Sequence, residues 1–203
     1  PVAEDAIGVR ANVWLLDIFE RVAREDGPRV RRFRIEHAQH LTPAAIRRFG
    51  PLGVAPSMQP YHAIDDGRWA EKRIGAERVK GTYAFNALLA AKGPLTSGSD
   101  WPVAPLNPMT GIDAAVTRRT IDGRNPGGWQ PQEKISVAQA PGAYTVANAH
   151  AGFQGEKLGR IKVGQLADFV VLSQDIFTID PRTIATAKVL RTVVGGKDAY
   201  VAE

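Results

Sequence analysis

Residues 33–40 read F-R-I-E-H-A-Q-H, and residues 95–105 read L-T-S-G-S-D-W-P-V-A-P. Each is a short apolar run that ends in a metal-binding side chain. His37 follows Phe33 and Ile35; Asp100 follows the run that starts at Leu95, just before a Trp-Pro turn. The chain has four histidines, His37, His40, His62 and His150, and three of them lie in one short stretch.

Outward from these two runs the chain alternates. Pro1 to Ile7 reads as a strand, with Gly8 after it. Arg10 to Asp26 carries Val13, Leu16, Ile18 and Val22 at helical spacing, and Gly27-Pro28 ends it. Arg31 to Glu36 is a second strand. Thr42 and Pro43 open a helix as N-cap and first helical residue, running to Gly50. Leu52 to Met58 is a third strand, and H-A-I-D-D-G-R-W-A (62–70) a polar loop. A helix over Lys80 to Ala91, a strand over Leu95 to Ser99 and a helix over Met109 to Ile121 follow. Such alternation implies an α/β chain of parallel strands joined by right-handed crossovers. Val137 to Ala149 reads as another helix, with Pro141 awkward near its middle. After Gly152 the pattern changes: residues 155–173 read turn, strand, turn, strand. Lys188 to Val194 and Lys197 to Val201 flank Gly195-Gly196, a hairpin signal. The expected division is a β/α unit over 1–151 and a β-rich unit over 152–203.

Composition supports a packed core: of 203 residues, 44% are hydrophobic and 23% charged. The chain is shorter than a complete eight-fold β/α barrel, which takes about 250 residues. Net charge is +5 and pI about 9.7. The arginines cluster at Arg29, Arg31, Arg32 and Arg34, and at Arg47, Arg48, Arg118 and Arg119. An anionic partner is one reading and a solvated face the other. No nucleic-acid motif accompanies the charge, so a solvated face is expected, with no nucleic-acid partner. Without cysteine there is no disulfide, thiolate site or cysteine nucleophile, which fits a reducing cytoplasm. No apolar run reaches about 18 residues, so neither a transmembrane helix nor a membrane partner is expected. The N-terminus has no signal-peptide pattern. It begins without Met inside a strand-like run, so the chain is expected to be a fragment or a processed product.

In a β/α barrel, side chains at the C-terminal strand ends share one active site. His37 and Asp100 occupy such positions. A catalytic zinc takes about three protein ligands and keeps one position open, and water on it loses its proton near neutrality. Asp100 is then the residue to accept that proton and hand it to the leaving group. The plainer alternatives stay open. His37 also reads as a hydrogen-bonded strand-end histidine, His40 as the start of a loop and Asp100 as a turn or cap residue. His62 either touches substrate or is a surface-loop histidine. Trp69, Trp101 and Trp129 either line a pocket or pack, Asp65 and Asp66 read as turn residues, and His150 as structural.

Several segments, in order, resemble amidohydrolase family 3, the branch that includes N-substituted formamide deformylases. They are A-I-G-V-R-A-N (6–12), R-I-E-H-A-Q-H-L (34–41), S-M-Q-P-Y-H-A-I-D-D-G-R-W-A-E-K-R-I-G (57–75), T-Y-A-F-N-A-L-L (82–89), G-S-D-W-P-V-A-P-L-N-P (98–108), A-V-T-R-R-T (115–120) and L-G-R-I-K-V-G-Q-L-A-D-F-V-V-L (158–172). The resemblance implies the C-terminal half of a TIM-type (β/α)8 barrel, strands five to eight, followed by returning strands of a composite β-sandwich. It implies a metal-dependent hydrolase of carbon–nitrogen bonds other than peptide bonds, acting on a small-molecule N-acyl or N-formyl amide, with one or two divalent ions, zinc first among them. His37 would be a ligand, Asp100 both ligand and proton shuttle, and Gln59 and His62 part of a loop near the substrate pocket, with Trp101 a further candidate there. The family's first motif reads H-A-I-G-D-R-A; here Asp5 stands where the ligand histidine is expected, and Val9 where an aspartate is expected. Asp5 becomes a candidate ligand in its place. Pro141-Gly142 interrupts a helix that the family keeps whole. The H-x-H pair of the family's first barrel strand is absent. An open half barrel leaves two strand edges and a bare hydrophobic face. A second copy or a complementing N-terminal half is therefore expected as partner, and the alternative is a catalytically incompetent fragment or pseudoenzyme.

Overall fold

The computed structural model describes residues 2–27 and 29–203. Pro1 and Pro28, including the part of Pro28 in ending the first helix, lie outside the described residues. Four parallel strands form one sheet in the order β1-β2-β3-β4. These are β1 (Ala3–Ala6), β2 (Arg34–His37), β3 (Ala55–Met58) and β4 (Thr96–Ser97). Ala6 pairs with His37, and Met58 with Ser97, so the C-terminal ends align.

Helix α1 (Val9–Glu25) buries Asn12, Leu16 and Phe19, one stripe at spacings of four and three. The Asn12 amide donates to the carbonyls of Ala6 and Gly8 at 3.1 and 3.0 Å, clipping the turn out of β1 to the helix. Thr42 caps α2 (Pro43–Leu52), its hydroxyl accepting from Ala45 N at 3.1 Å. This helix runs past Gly50, which is no terminator: a Cβ there would collide with the Ala91 carbonyl. Gly53, at φ +61°, ends it instead.

Residues 62–66 are helix rather than loop, and only 67–69 turn the chain. Pro60 starts α3 (Pro60–Asp66), with Ala63 and Ile64 buried, and α4 (Ala70–Ile74) and α5 (Ala76–Val79) follow. Proline at the first helical position and two inward apolar residues outweigh the polar composition. The helix expected over Lys80 to Ala91 is shorter, α6 (Phe85–Ala90), because Tyr83 turns the chain at φ +51°. After α7 (Pro108–Thr117), the Val137–Ala149 segment divides at Thr145 into α8 (Gln139–Tyr144) and α9 (Val146–Ala151). Pro141 falls in the first turn of α8, where its missing N–H costs nothing.

The second sheet is β5 (Phe169–Leu172), β6 (Val189–Val194) and β7 (Lys197–Val201), antiparallel in that order. Gly195 and Gly196, at φ +57° and +77°, make the two-residue turn between β6 and β7. The strand read before Gly164 is absent: Ile161 and Val163 stand exposed among turns.

The arginines are not one solvated face. Arg31 donates to Gly27 O at 2.8 Å, Arg32 to His150 O at 2.7 Å, and Arg34 pairs with Glu36. Arg118 is wholly buried. Its guanidinium donates to Trp129 O at 2.7 Å and Tyr83 O at 3.0 Å and lies over the Phe85 and Trp129 rings. Burial pulls its pKa down to about 10, with Glu133 and Tyr83 opposing. No helix among the described residues is long and apolar enough to cross a membrane.

Candidate metal centre

His37 ends β2 and Asp100 follows β4, both on left-handed backbone at φ +67° and +60°. That bend carries each side chain over the end of the sheet. His62, in the first turn of α3, joins them. One donor atom from each of His37, His62 and Asp100 lies within 4.8 Å of the others. The rings of His37 and His62 stack with centroids 6.2 Å apart.

The tautomer of His37 follows from its neighbours. Gln59 Nε2 donates to Ser57 O at 3.3 Å, which turns Gln59 Oε1 toward His37 Nδ1 at 2.9 Å. In the neutral ring Nδ1 then carries the proton and Nε2 the lone pair. Nε2 also faces an acceptor, Asp5 Oδ2 at 3.1 Å, a contact that needs a proton on Nε2, so a metal bound there would take that proton's place. His62 Nε2 is buried with no hydrogen-bond partner and lies 3.8 Å from Asp100 Oδ2, too far to bond. Burial lowers the His62 pKa, the Asp100 and Asp66 carboxylates pull it back, and His37 lowers it further. A neutral imidazole with an unspent lone pair is what a metal requires.

This donor set fits a divalent ion. A tetrahedral ion with bonds of about 2.1 Å draws its ligands to about 3.4 Å from one another, so the side chains need to close by roughly an ångström. Asp5 stands outside the group of three, exposed, with its carboxylate on His37. The adjoining depression, 460 Å³, is lined by Asp5, Arg34, Glu36, Ser57 and Asn148 with His37 and Asp100; His62 lies outside its lining. The bare apolar face expected of the open sheet is therefore replaced here by charged and hydroxyl side chains. Apolar surface lies elsewhere, in a 760 Å³ groove of Val2, Leu15, Ile18 and Phe33 beside α1.

Gln59 is buried and contacts His37 rather than open solvent. Trp101 is 65% exposed and does not line the depression. His40 bonds Thr82 Oγ1 at 2.9 Å, away from the group. Asp66 accepts from Tyr83 Oη at 2.7 Å and Gln39 Nε2 at 2.9 Å, a structural role at the end of α3. The sequence reading passed over Asn148, which lines the depression and ties α9 to Ser97 O at 2.9 Å. An asparagine among the valine and alanines of 146–149 was the available signal.

The amidohydrolase family profile matches residues 4–200. Protein LONG AFTER FAR-RED 3 of Arabidopsis thaliana is 46% identical over 200 residues, covering 98% of this chain and 34% of that protein. The N-substituted formamide deformylase of Arthrobacter pascens is 28% identical over 188 residues, covering 92% and 34%. Among solved structures, an uncharacterized metal-dependent hydrolase from Pyrococcus horikoshii superposes with a TM-score of 0.77 at 29% identity, covering 89% of this chain and 35% of that one. The chain thus spans about a third of the length of the curated relatives it matches. A parallel sheet that gathers two histidines and an aspartate at its C-terminal edge, matched by the profile along nearly its whole length, makes this chain a member of the amidohydrolase family.

Proposed function

We propose that this chain carries part of the active site of a metal-dependent hydrolase of carbon–nitrogen bonds other than peptide bonds, its substrate a small N-acyl or N-formyl amide. The observation that carries the reading is the convergence of His37, His62 and Asp100, with the buried His62 Nε2 left without a partner. The formamide deformylase relative supports the bond type. A divalent ion, zinc first among candidates, supplies Lewis acidity and acidifies water when bound. His37 and His62 hold it through neutral imidazoles, and Gln59 keeps the His37 lone pair pointed at it. Asp100 is placed to take a proton from the attacking water and return it to the departing amine nitrogen. The C–N bond breaks as the carbonyl re-forms, giving acid and amine.

The assembly is part of the proposal. Asp5 is open to solvent beside β1, whose outer edge has no strand partner among the described residues. A second copy, or a complementing segment seated along β1, closes the depression before efficient turnover. Metal content by elemental analysis tests the reading, with His37→Ala, His62→Ala and Asp100→Ala alongside. Near-stoichiometric zinc that falls in each variant is expected, together with release of amine from N-formyl substrates by the closed assembly. Metal content that is equal in parent and variants would sink it.

A further inference from the structure

At the opposite end of the sheet, where Arg32 precedes β2 and Pro94 precedes β4, lies a second cavity of 520 Å³. Its polar lining is Arg32, His150, Glu156 and Arg160, and its apolar lining includes Phe153 and Val146. The Arg32 guanidinium is stacked 4.2 Å over the Phe153 ring and is fixed there by one bond, Nη1 to His150 O at 2.7 Å. Its other edge is unspent. Nε is buried with no partner, and Nη2 makes no hydrogen bond to the described residues. Nη2 is therefore the Arg32 donor left to face the cavity, where it can take one carboxylate oxygen while the guanidinium supplies its charge. Neither Arg32 nor Arg160 is paired with a carboxylate among the described residues. Burial, and Arg32 beside it, lower the His150 pKa, so the imidazole is uncharged at neutrality. Two guanidinium groups against the single carboxylate of Glu156 leave the cavity net positive.

We propose that this cavity binds a small organic carboxylate, its head on Arg32 and Arg160 and its apolar body against Phe153 and Val146. The volume exceeds what a bare inorganic anion fills, and the mixed lining suits a charged head on a flat or aliphatic body. The proposal does not rest on the hydrolase reading, since none of the candidate metal ligands takes part.

The test is a titration of the 203-residue chain with benzoate, and separately with inorganic phosphate, at constant ionic strength, by calorimetry and amide NMR shifts. Saturable one-to-one benzoate binding is expected, with shifts centred on Arg32, His150 and Phe153. Affinity should fall at least tenfold in Arg160→Gln, an exposed position, and in Arg32→Lys, which keeps the charge but loses the planar guanidinium held on Phe153. Absence of saturable benzoate binding would overturn the proposal. So would equal affinity for phosphate, or benzoate affinity unchanged in both variants.

Discussion

Replacing Gln59 by leucine removes the acceptor on His37 Nδ1, the buried one of the two side chains that hold the ring. The bond lost is Nδ1 to Oε1 at 2.9 Å, in a buried position where water does not readily take over. Without it the ring loses its preferred tautomer and orientation, and Nε2 no longer holds a fixed lone pair. Loss of such an outer partner typically weakens a metal site 10–100-fold, about 1.4–2.7 kcal/mol. The leucine also strands Ser57 O, which Gln59 Nε2 now caps, so the upper part of that range is expected. Gln59→Glu is the discriminating companion: it keeps an acceptor against Nδ1–H and should hold zinc at least as well as the parent. The assay is zinc competition against a chromophoric chelator, with cobalt(II) absorption reporting the ligand field. Equal zinc affinity in parent and Gln59→Leu would refute the argument, as would an equal loss in leucine and glutamate variants.

Three further outcomes follow from the packing. Burial raises the Asp113 carboxyl to about 6, with Arg119 and Thr117 opposing. The folded state therefore holds a proton that the unfolded chain releases near 3.8. The resulting stability is full below that pH and disappears as pH rises through about 6, a change of about 3 kcal/mol. In urea unfolding, Asp113→Asn should gain on the parent by that amount between pH 4 and pH 7; a pH-independent difference would contradict it. Arg118→Met should cost about 3 kcal/mol, because Trp129 O loses its buried donor, and a melting temperature unchanged from the parent would count against this account. Gly50→Ala should destabilise by roughly 1–3 kcal/mol despite better helix propensity, since α2 must shift off the Ala91 carbonyl, and a stabilised variant in denaturant titration would show that contact to be slack.

Local signals carried far in this chain. Thr42-Pro43 as helix start, the Gly195-Gly196 hairpin and the strand–helix alternation all rest on contacts within a few residues, and each is visible in the string. His37 and Asp100 were legible because a strand end is a local feature. His62 was harder to place, since polar residues 62–70 read as a loop until Ala63 and Ile64 are seen to be buried. The contacts of Gln59 with His37, 22 residues apart, and of Asn148 with Ser97, 51 apart, depend on how elements close in space. Arg118 shows the same limit: charge alone placed it outside, and only the carbonyls and rings gathered around it make its burial tolerable.

The left-handed backbone at His37, Ala38 and Asp100 sets up a conflict for anyone improving this protein in the laboratory. Each is an L-residue in a conformation that glycine and asparagine adopt more easily. A library screened for expression or heat resistance should thus enrich glycine at Ala38 and asparagine at 37 and 100. The first change is harmless to the donor set and the other two erase it. Stability screening and metal screening of the same library should then diverge at residues 37 and 100 while agreeing at 38, which would let sequencing alone tell strain kept for chemistry from strain kept by accident.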